Sequence, residues 1–319
     1  MNRIFNYLSD AIGGVLYYFS QTKLRTALTL LGITVGVSSI IAIMTVLATF
    51  QRATDGLVSE MKTNVFYITK DNPTEISFGV RHSGARNKPS ITWTEYEQLK
   101  RSLTLTTNMS AVVAEEPSDR TISFEGEELK NRLSSLWGSD GDILSLYKYD
   151  IIDGRSIRQI DLDNSSRVAM IGYDVKEELF PFSNPVGQTI KIDNIPFEVI
   201  CVLSPKGKVL GQSMDSTIGI PISTYLKYFG GRSWRRADLQ LILESESMET
   251  LDEASDEAIG VFRSIRKIPP GAENNFYLAT NDQLQETFGD FTSYLKMFIG
   301  LVAGISLLVA GIGIGRAHV

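Results

Sequence analysis

Two long apolar runs bracket the chain. Ala27 to Phe50 covers 24 residues without a charge, and Met297 to Gly315 covers 19. At about 1.5 Å per residue they reach roughly 36 Å and roughly 28 Å, against a hydrocarbon core of about 30 Å. Each run therefore predicts a transmembrane helix, spanning 27–50 and 297–315. Between them, residues 51–296 have an ordinary water-soluble composition. The predicted fold class is a membrane protein with two transmembrane α-helices flanking an α+β extracytoplasmic domain. Ahead of the first run, Ile4, Leu8, Ile12, Val15 and Phe19 build one helical face, and Tyr7, Tyr17 and Tyr18 add rings suited to the headgroup zone. Residues 1–26 thus predict a cytoplasmic amphipathic helix lying on the inner leaflet. A plain helical extension is the blander reading.

The apolar periodicity continues beyond both runs. Leu47, Phe50, Thr54, Leu57 and Met61 recur in steps of three and four, as do Leu284, Phe288, Phe291, Leu295 and Phe298. Such seams predict two helices paired as a stiff stalk, with 282–296 as the returning stalk helix and Leu284, Phe288, Phe291 and Leu295 in its seam. Thr280 and Asn281 can cap its start. Glycines follow a second pattern. Gly32 and Gly36 stand four apart in the first run, and Gly300, Gly304, Gly311 and Gly315 fall within a sector of about 60° in the second. A stripe of this kind lets another helix approach backbone to backbone, so Gly32, Gly36, Gly300, Gly304 and Gly311 are the expected helix-packing positions.

The middle of the chain alternates strand and helix patterns. Val65 to Thr69 predicts a strand, Thr92-x-x-Glu95 a capping box opening a helix to about Arg101, and Met109 to Ala114 a strand. Leu239 to Leu243 then reads as a strand, Met248 to Ile265 as a helix capped by Ser247, and Phe276 to Ala279 as a strand. The two strand–helix–strand units fit one α+β, porter-like subdomain, its first half with stalk at 51–137 and its second half at 234–281. Their sequences are too different to establish a duplication. Residues 138–233 have another texture. Arg167 to Ile171, Thr189 to Ile192 and Phe197 to Leu203 read as strands, with Asp193-Asn194 as a tight hairpin. Short helices near Asp174 to Phe180 and Ser223 to Tyr228 interrupt an otherwise β-rich insert. Residues 71–90 read as a loop without periodicity, and Lys206 to Met214 as a turn or, less economically, a loop facing a partner.

Charge fixes the orientation. Arg3, Lys23 and Arg25 stand against Asp10 before the first run, so the positive-inside rule keeps the N-terminus in the cytoplasm and places 51–296 outside. Val46-Leu47-Ala48 faintly resembles a cleavage site, but the apolar stretch is too long and too far from the start for a signal peptide. The outer segment carries 27 basic and 36 acidic residues, net −9. That acidity excludes nucleic acid as a partner. Cys201 is the single cysteine, in an apolar stretch, so no internal disulfide is available. His82 and His318 lack ligand spacing, and neither a phosphate-binding loop nor a nucleophile elbow occurs. No catalytic, cofactor or metal residue is nominated, and no cofactor is expected.

Several segments together resemble macrolide-exporter-type (MacB/FtsX-like) ABC transporter permeases. They are Lys23-Leu24-Arg25-Thr26 with Leu30-Leu31-Gly32-Ile33 and Gly36-Val37, then Asp153-Gly154-Arg155 and Arg167 to Gly172. Leu179-Phe180, Asn184-Pro185-Val186-Gly187-Gln188-Thr189-Ile190, Phe197 to Ile200 and Ile220-Pro221 follow in the family's order. The resemblance implies a porter-like subdomain with an inserted β-rich one. It also implies a permease that pairs with an ABC ATPase subunit and a second permease copy or paralogue, in contact with membrane lipid and with a periplasmic partner protein. ATP hydrolysis would sit on the separate ATPase, so the chain itself is not expected to be an enzyme. The implied location is the bacterial inner membrane. ATP-driven closure would then move the stalk and reshape the outer domain.

A family member continues into two further crossings and a basic cytoplasmic segment, whereas here Gly311-Ile312-Gly313-Ile314 runs into a tail at 316–319. The expectation is a truncated or frameshifted product, or an incomplete gene model. The rival from another class is a two-pass membrane receptor with an extracytoplasmic sensing domain.

Overall fold

The computed structural model describes residues 23, 34, 36–49, 51, 62–71, 88–115, 118–130, 133, 135–209, 212–230, 238–283, 289, 292–302 and 304–305. It divides into two units, Met1–Arg52 with Phe288–Val319, and Ala53–Thr287. In the first unit residues 36–49 and 292–302 are helical. Among the described residues no helix is long and apolar enough to cross a membrane, and both apolar runs fall partly outside those residues.

The second unit is built on one long sheet. Its first elements are β1 (Val65–Thr69), helix α1 (Trp93–Ser102) and β2 (Thr106–Glu115). There follow β3 (Ile122–Phe124), β4 (Glu127–Glu128), β5 (Ser135–Ser139), α2 (Ile143–Leu146), β6 (Ile151–Gly154), α3 (Gln159–Asp163), β7 (Val168–Ile171), α4 (Tyr173–Leu179), β8 (Thr189–Ile192) and β9 (Ile195–Leu203). The chain then forms β10 (Lys208–Val209), β11 (Gln212–Ser213), β12 (Thr217–Pro221), α5 (Ile222–Tyr228), β13 (Gln240–Ser245), α6 (Leu251–Ile265) and β14 (Tyr277–Thr280). The sheet order is β14-β1-β13-β2-β5-β12-β7-β9-β8-β3-β4, with β6 also on β9, while β10 and β11 form a separate hairpin.

The first four strands in that order come from both ends of the domain. β1 lies antiparallel between β14 and β13, and β13 lies antiparallel to β2. The units β1–α1–β2 and β13–α6–β14 therefore interleave, each accepting a strand of the other between its own two. This is the split βαβ arrangement of ferredoxin-like folds. Neither half can complete the sheet alone. Val65, Phe66, Ile68, Leu241, Ile242 and Leu243 of the strands are buried in one core with Tyr96 and Leu99 of α1 and Ala254, Ala258 and Phe262 of α6.

α1 starts where its sequence says. Thr92 is the N-cap, its side chain accepts from the Glu95 N–H, and the Glu95 carboxylate accepts from Thr92 N at 2.7 Å. α6 starts later than the pattern predicts. Its N-cap is Thr250 rather than Ser247, because 246–250 form a turn in which the Thr250 hydroxyl donates to the Ser247 carbonyl at 3.2 Å. Local side-chain–backbone bonding has displaced the first helical turn.

The β-rich part extends the same sheet. β5 adds antiparallel to β2, β12 parallel to β5, β7 antiparallel to β12, β9 parallel to β7 and β8 antiparallel to β9. β3, from a segment before residue 138, pairs with β8 near the far edge. The β8–β9 turn is the expected two-residue hairpin, with Asp193 and Asn194 at φ 48° and 67°. Asp193 also accepts from Thr121 N at 3.0 Å and Arg120 Nη1 at 2.8 Å, which binds the hairpin tip to the approach of β3. Gly219 faces Trp137 across the β12–β5 pair, and a Cβ there would collide with the indole ring. That ring is fixed by Nε1 donating to Thr217 Oγ1 at 2.8 Å.

Candidate functional site

The first and last described strands of the second unit lie side by side. β1 is the first described strand and β14 the last, and they are antiparallel neighbours with Phe66 opposite Thr280. The incoming and outgoing chains are thus about one strand spacing apart, roughly 4.8 Å. Side chains tie this root together. The Asn281 Nδ2 donates to the Lys62 carbonyl at 2.6 Å. The Lys62 ammonium pairs with Glu244 at 2.6 Å, and Asn64 Nδ2 donates to the Ser245 carbonyl at 2.5 Å while Ser245 N returns a bond to the Asn64 carbonyl at 2.9 Å. The outgoing helix opens with its own capping box. Gln283 N donates to Thr280 Oγ1 and Thr280 N to Gln283 Oε1, both at 3.3 Å.

Asn281 is the most constrained member of this root. It is 2 % exposed, and its Oδ1 has no hydrogen-bond partner by geometry among the described residues. The phenol of Tyr67 lies against it. Burial pushes the Tyr67 ionisation well above the ordinary phenol range, and the Asn281 side chain opposes that shift. Asn281 therefore joins the root through its Nδ2 while its Oδ1 is buried without a hydrogen-bond partner among the described residues.

A second polar group ties α1 to the point where the interleaved strands meet the β-rich part. Asp140 follows β5 and is 4 % exposed. Tyr96 of α1 donates to its Oδ2 and Ser110 of β2 to its Oδ1. Lys100 of α1 approaches Asp140 at 3.9 Å and Asp142 at 3.1 Å, and donates to the Tyr96 oxygen at 3.0 Å. Burial raises the Asp140 carboxyl above the usual carboxylate range, against the Ser110, Tyr96 and Lys100 contacts that lower it. A third anchor is Arg266, just after α6, whose side chain is 3 % exposed. It donates to Glu95 Oε1 at 2.9 Å, Asn275 Oδ1 at 3.0 Å and the Ser90 carbonyl at 3.2 Å.

The residues that carry the family resemblance in the β-rich part make a braced corner. Gly154 sits at φ +92°, and a Cβ there would strike the Ile200 carbonyl. Arg155 grips Asp161 at 2.7 and 3.2 Å. Burial works against that carboxylate, but the Arg155 and Arg158 contacts win and hold it below its ordinary value. Asn184 donates to Asp153 Oδ2 at 2.7 Å and accepts from Val186 N at 2.9 Å. Burial pushes the Cys201 thiol up to about 12, which leaves it a packed, unreactive side chain. Among the described residues no group of three or more His, Cys, Asp and Glu side chains could hold a metal ion.

Of the expected helix-packing glycines, Gly36 is buried within helical residues 36–49. Gly300 and Gly304 are exposed, with no atom within 4 Å of where a Cβ would stand, and Gly32 and Gly311 lie outside the described residues. In the seam, Leu295 is helical and half-buried, while Leu284, Phe288 and Phe291 lie outside the described residues. The root residues Lys62, Asn64, Glu244 and Ser245, and the Asp140 group, were not legible in advance. Only the Thr280–Asn281 capping signal pointed to the root.

The model of the MacB-like periplasmic core domain matches residues 26–261. The pyoverdine export ATP-binding/permease protein of Pseudomonas fluorescens (strain Pf0-1) is 27% identical over 315 residues, covering 96% of this chain and 44% of that protein. The macrolide export ATP-binding/permease protein of Rhodospirillum rubrum is 30% identical over 294 residues, covering 91% and 42%. The chain spans less than half the length of these curated relatives. Among solved structures, the periplasmic region of MacB from Actinobacillus actinomycetemcomitans aligns with a TM-score of 0.57 at 18% identity, covering 73% of this chain and 95% of that one. The extracellular domain of the ABC-type transporter YknZ from Gram-positive bacteria aligns at 0.50 and 19% identity, covering 68% and 99%. The sheet is therefore the mixed α/β fold of the MacB periplasmic domain.

Proposed function

The chain belongs to the MacB-like periplasmic core domain family, and on that premise we propose that it acts as the permease component of a bacterial ABC exporter that transmits cytoplasmic ATP-driven motion to its outer domain. Residues 27–50 and 297–315 cross the inner membrane in this reading, 51–296 lie outside, and ATP is hydrolysed on a partner ATPase subunit. A second permease copy or paralogue completes the unit. Relatives named for pyoverdine export and for macrolide export match the same chain at similar identity.

The observation that supports this reading best is the shared root. Two connections that leave adjacent strands, bonded through Asn281 and Lys62, deliver any displacement of the membrane helices to β1 and β14 together. Those strands belong to the interleaved half of the sheet, which is continuous with the β-rich part through β2 and β5. A pull at the root is thus passed along hydrogen-bonded strands, which extend little. A tagged full-length gene product should co-isolate with an ATPase subunit whose hydrolysis rate changes when the outer domain is intact. Isolation without any ATPase, under conditions that keep related exporters assembled, would overturn the proposal.

A further inference from the structure

Among the described residues, Asp140, Asp161 and Asp215 are buried carboxylates, and their partners differ in kind. Asp161 accepts from the Arg155 guanidinium and the Arg158 N–H. Asp215 accepts from the Lys206 and Gly207 N–H groups at 2.7 and 2.8 Å. Such groups only donate, so they hold a carboxylate and give a carboxylic acid nothing to donate to. Asp140 instead accepts from two hydroxyls, those of Tyr96 and Ser110. A hydroxyl can turn round and accept.

The Tyr96 oxygen has a second acceptor within reach. It lies 3.1 Å from the Met109 carbonyl, on the strand that carries Ser110. One phenol proton serves Asp140 or Met109, and Lys100 covers the remainder by donating to the Met109 carbonyl at 3.3 Å and to the Tyr96 oxygen at 3.0 Å. The titratable groups bearing on Asp140 are Tyr96 and Lys100 from α1 and Asp142 from the turn before α2, while Glu97 of α1 bears on Tyr96. From α5, Tyr225 packs at Gly138, two residues before Asp140. Lys100 is exposed and Asp142 half-buried, which opens the cluster to protons from solvent. Burial favours the neutral acid at Asp140.

We propose that Asp140 and Tyr96 form a reversible proton switch: on taking one proton from solvent, the carboxyl donates to the Tyr96 oxygen, and the phenol turns its own proton from Asp140 to the Met109 carbonyl. One O–H bond forms and no bond breaks. Ser110 keeps its acceptor, so the hydroxyls and the carboxyl of the cluster stay partnered in both arrangements. The buried charge disappears, and Lys100 is left to pair with Asp142. The tie between α1 and the end of β5 thereby responds to pH. That this is the pH outside the inner membrane rests on the proposed function; the switch itself does not.

The test is infrared difference spectroscopy of the full-length protein in detergent between high and low pH, with ring-labelled tyrosine and no ATPase present. The expected result is a protonated-carboxyl band that is missing in Asp140→Asn, together with a tyrosine C–O band, missing in Tyr96→Phe, that shifts with the same midpoint. Tyr96→Phe and Ser110→Ala each remove a donor to the carboxylate, so in either variant the carboxyl band should appear at a higher pH than in wild type. That shared upward shift identifies the band even if Asp140→Asn fails to fold. Absence of the band at every pH where near-ultraviolet circular dichroism shows a folded domain would overturn the switch. So would a Tyr96 band that stays put while the carboxyl band appears. ATPase co-isolation is measured separately, so the switch and the exporter reading can fail independently.

Discussion

Removing the Asn281 side chain is the sharpest perturbation of the root. Asn281→Ala deletes the bond to the Lys62 carbonyl, a neutral hydrogen bond contributing about 1 kcal/mol net. Lys62 is only half-buried, so water can reach the released carbonyl and the full orphan penalty is avoided. The same substitution removes the unpaired Oδ1, which offsets part of the loss. The expected cost is therefore about 1 kcal/mol. Asn281→Asp keeps the shape but turns a donor into an acceptor facing the Lys62 carbonyl and buries a charge. A charge at the start of a helix gains about 0.5 kcal/mol from the helix dipole, less than the few kcal/mol that an unpaired buried carboxylate costs. Aspartate should thus be worse than alanine by about 2 kcal/mol. Urea unfolding of the full chain in detergent, followed by tryptophan fluorescence, measures both. If the root fastens the tethers, transport should fall further in either variant than the stability loss explains. Equal, negligible costs for alanine and aspartate would refute the placement of Asn281 as the fastening residue.

Arg266→Ala should be the more damaging substitution for the fold, at about 3 kcal/mol, because it breaks a nearly buried ion pair. Glu95 retains its Thr92 contacts, which keeps the figure at the low end, and the same urea titration reads it. Asp140→Asn changes the pH dependence. The folded carboxyl is raised above its unfolded value, so its contribution to stability is present at low pH and is lost as pH rises through the folded value. Wild type should therefore gain stability relative to Asp140→Asn as pH is lowered toward the ordinary carboxylate value. A difference that stays constant as pH falls would contradict the burial of Asp140. Phe288→Asp or Phe291→Asp should abolish transport and leave the outer domain folded, as judged by near-ultraviolet circular dichroism; normal transport would remove the seam.

Much of the fold was readable because it follows local rules. The Thr92–Glu95 capping box, the apolar β-prone run Val65–Thr69 and the Asp193-Asn194 turn each carry their own chemistry, and each forms where its residues indicate. The strand–helix–strand units were visible as units. Their interleaving was not, since pairing of β1 with β13 depends on contacts between Phe66 and Leu243, far apart in the chain. Ser247 was misread because its competition with Thr250 is settled by one hydroxyl bond. Beyond the Thr280–Asn281 capping signal, the root is illegible for the same reason as the interleaving. Asn281 reads only as a helix cap, and Lys62 and Glu244 look like ordinary surface residues until the sheet brings three distant segments together. Part of the family resemblance lies in the braced corner at Asp153, Gly154, Arg155 and Asn184, whose residues answer to turn geometry and carboxylate pairing.

Transmission itself can be observed at one side chain. Phe182 is fully exposed in the β-rich part, and Cys201 is buried with its thiol pushed up to about 12, so a label on Phe182→Cys reports alone. In vesicles containing the permease with its ATPase, the distance between labels on two copies should shift when ATP is trapped by vanadate and return when it is released. Identical distances in both states, while the ATPase turns over normally, would contradict the account.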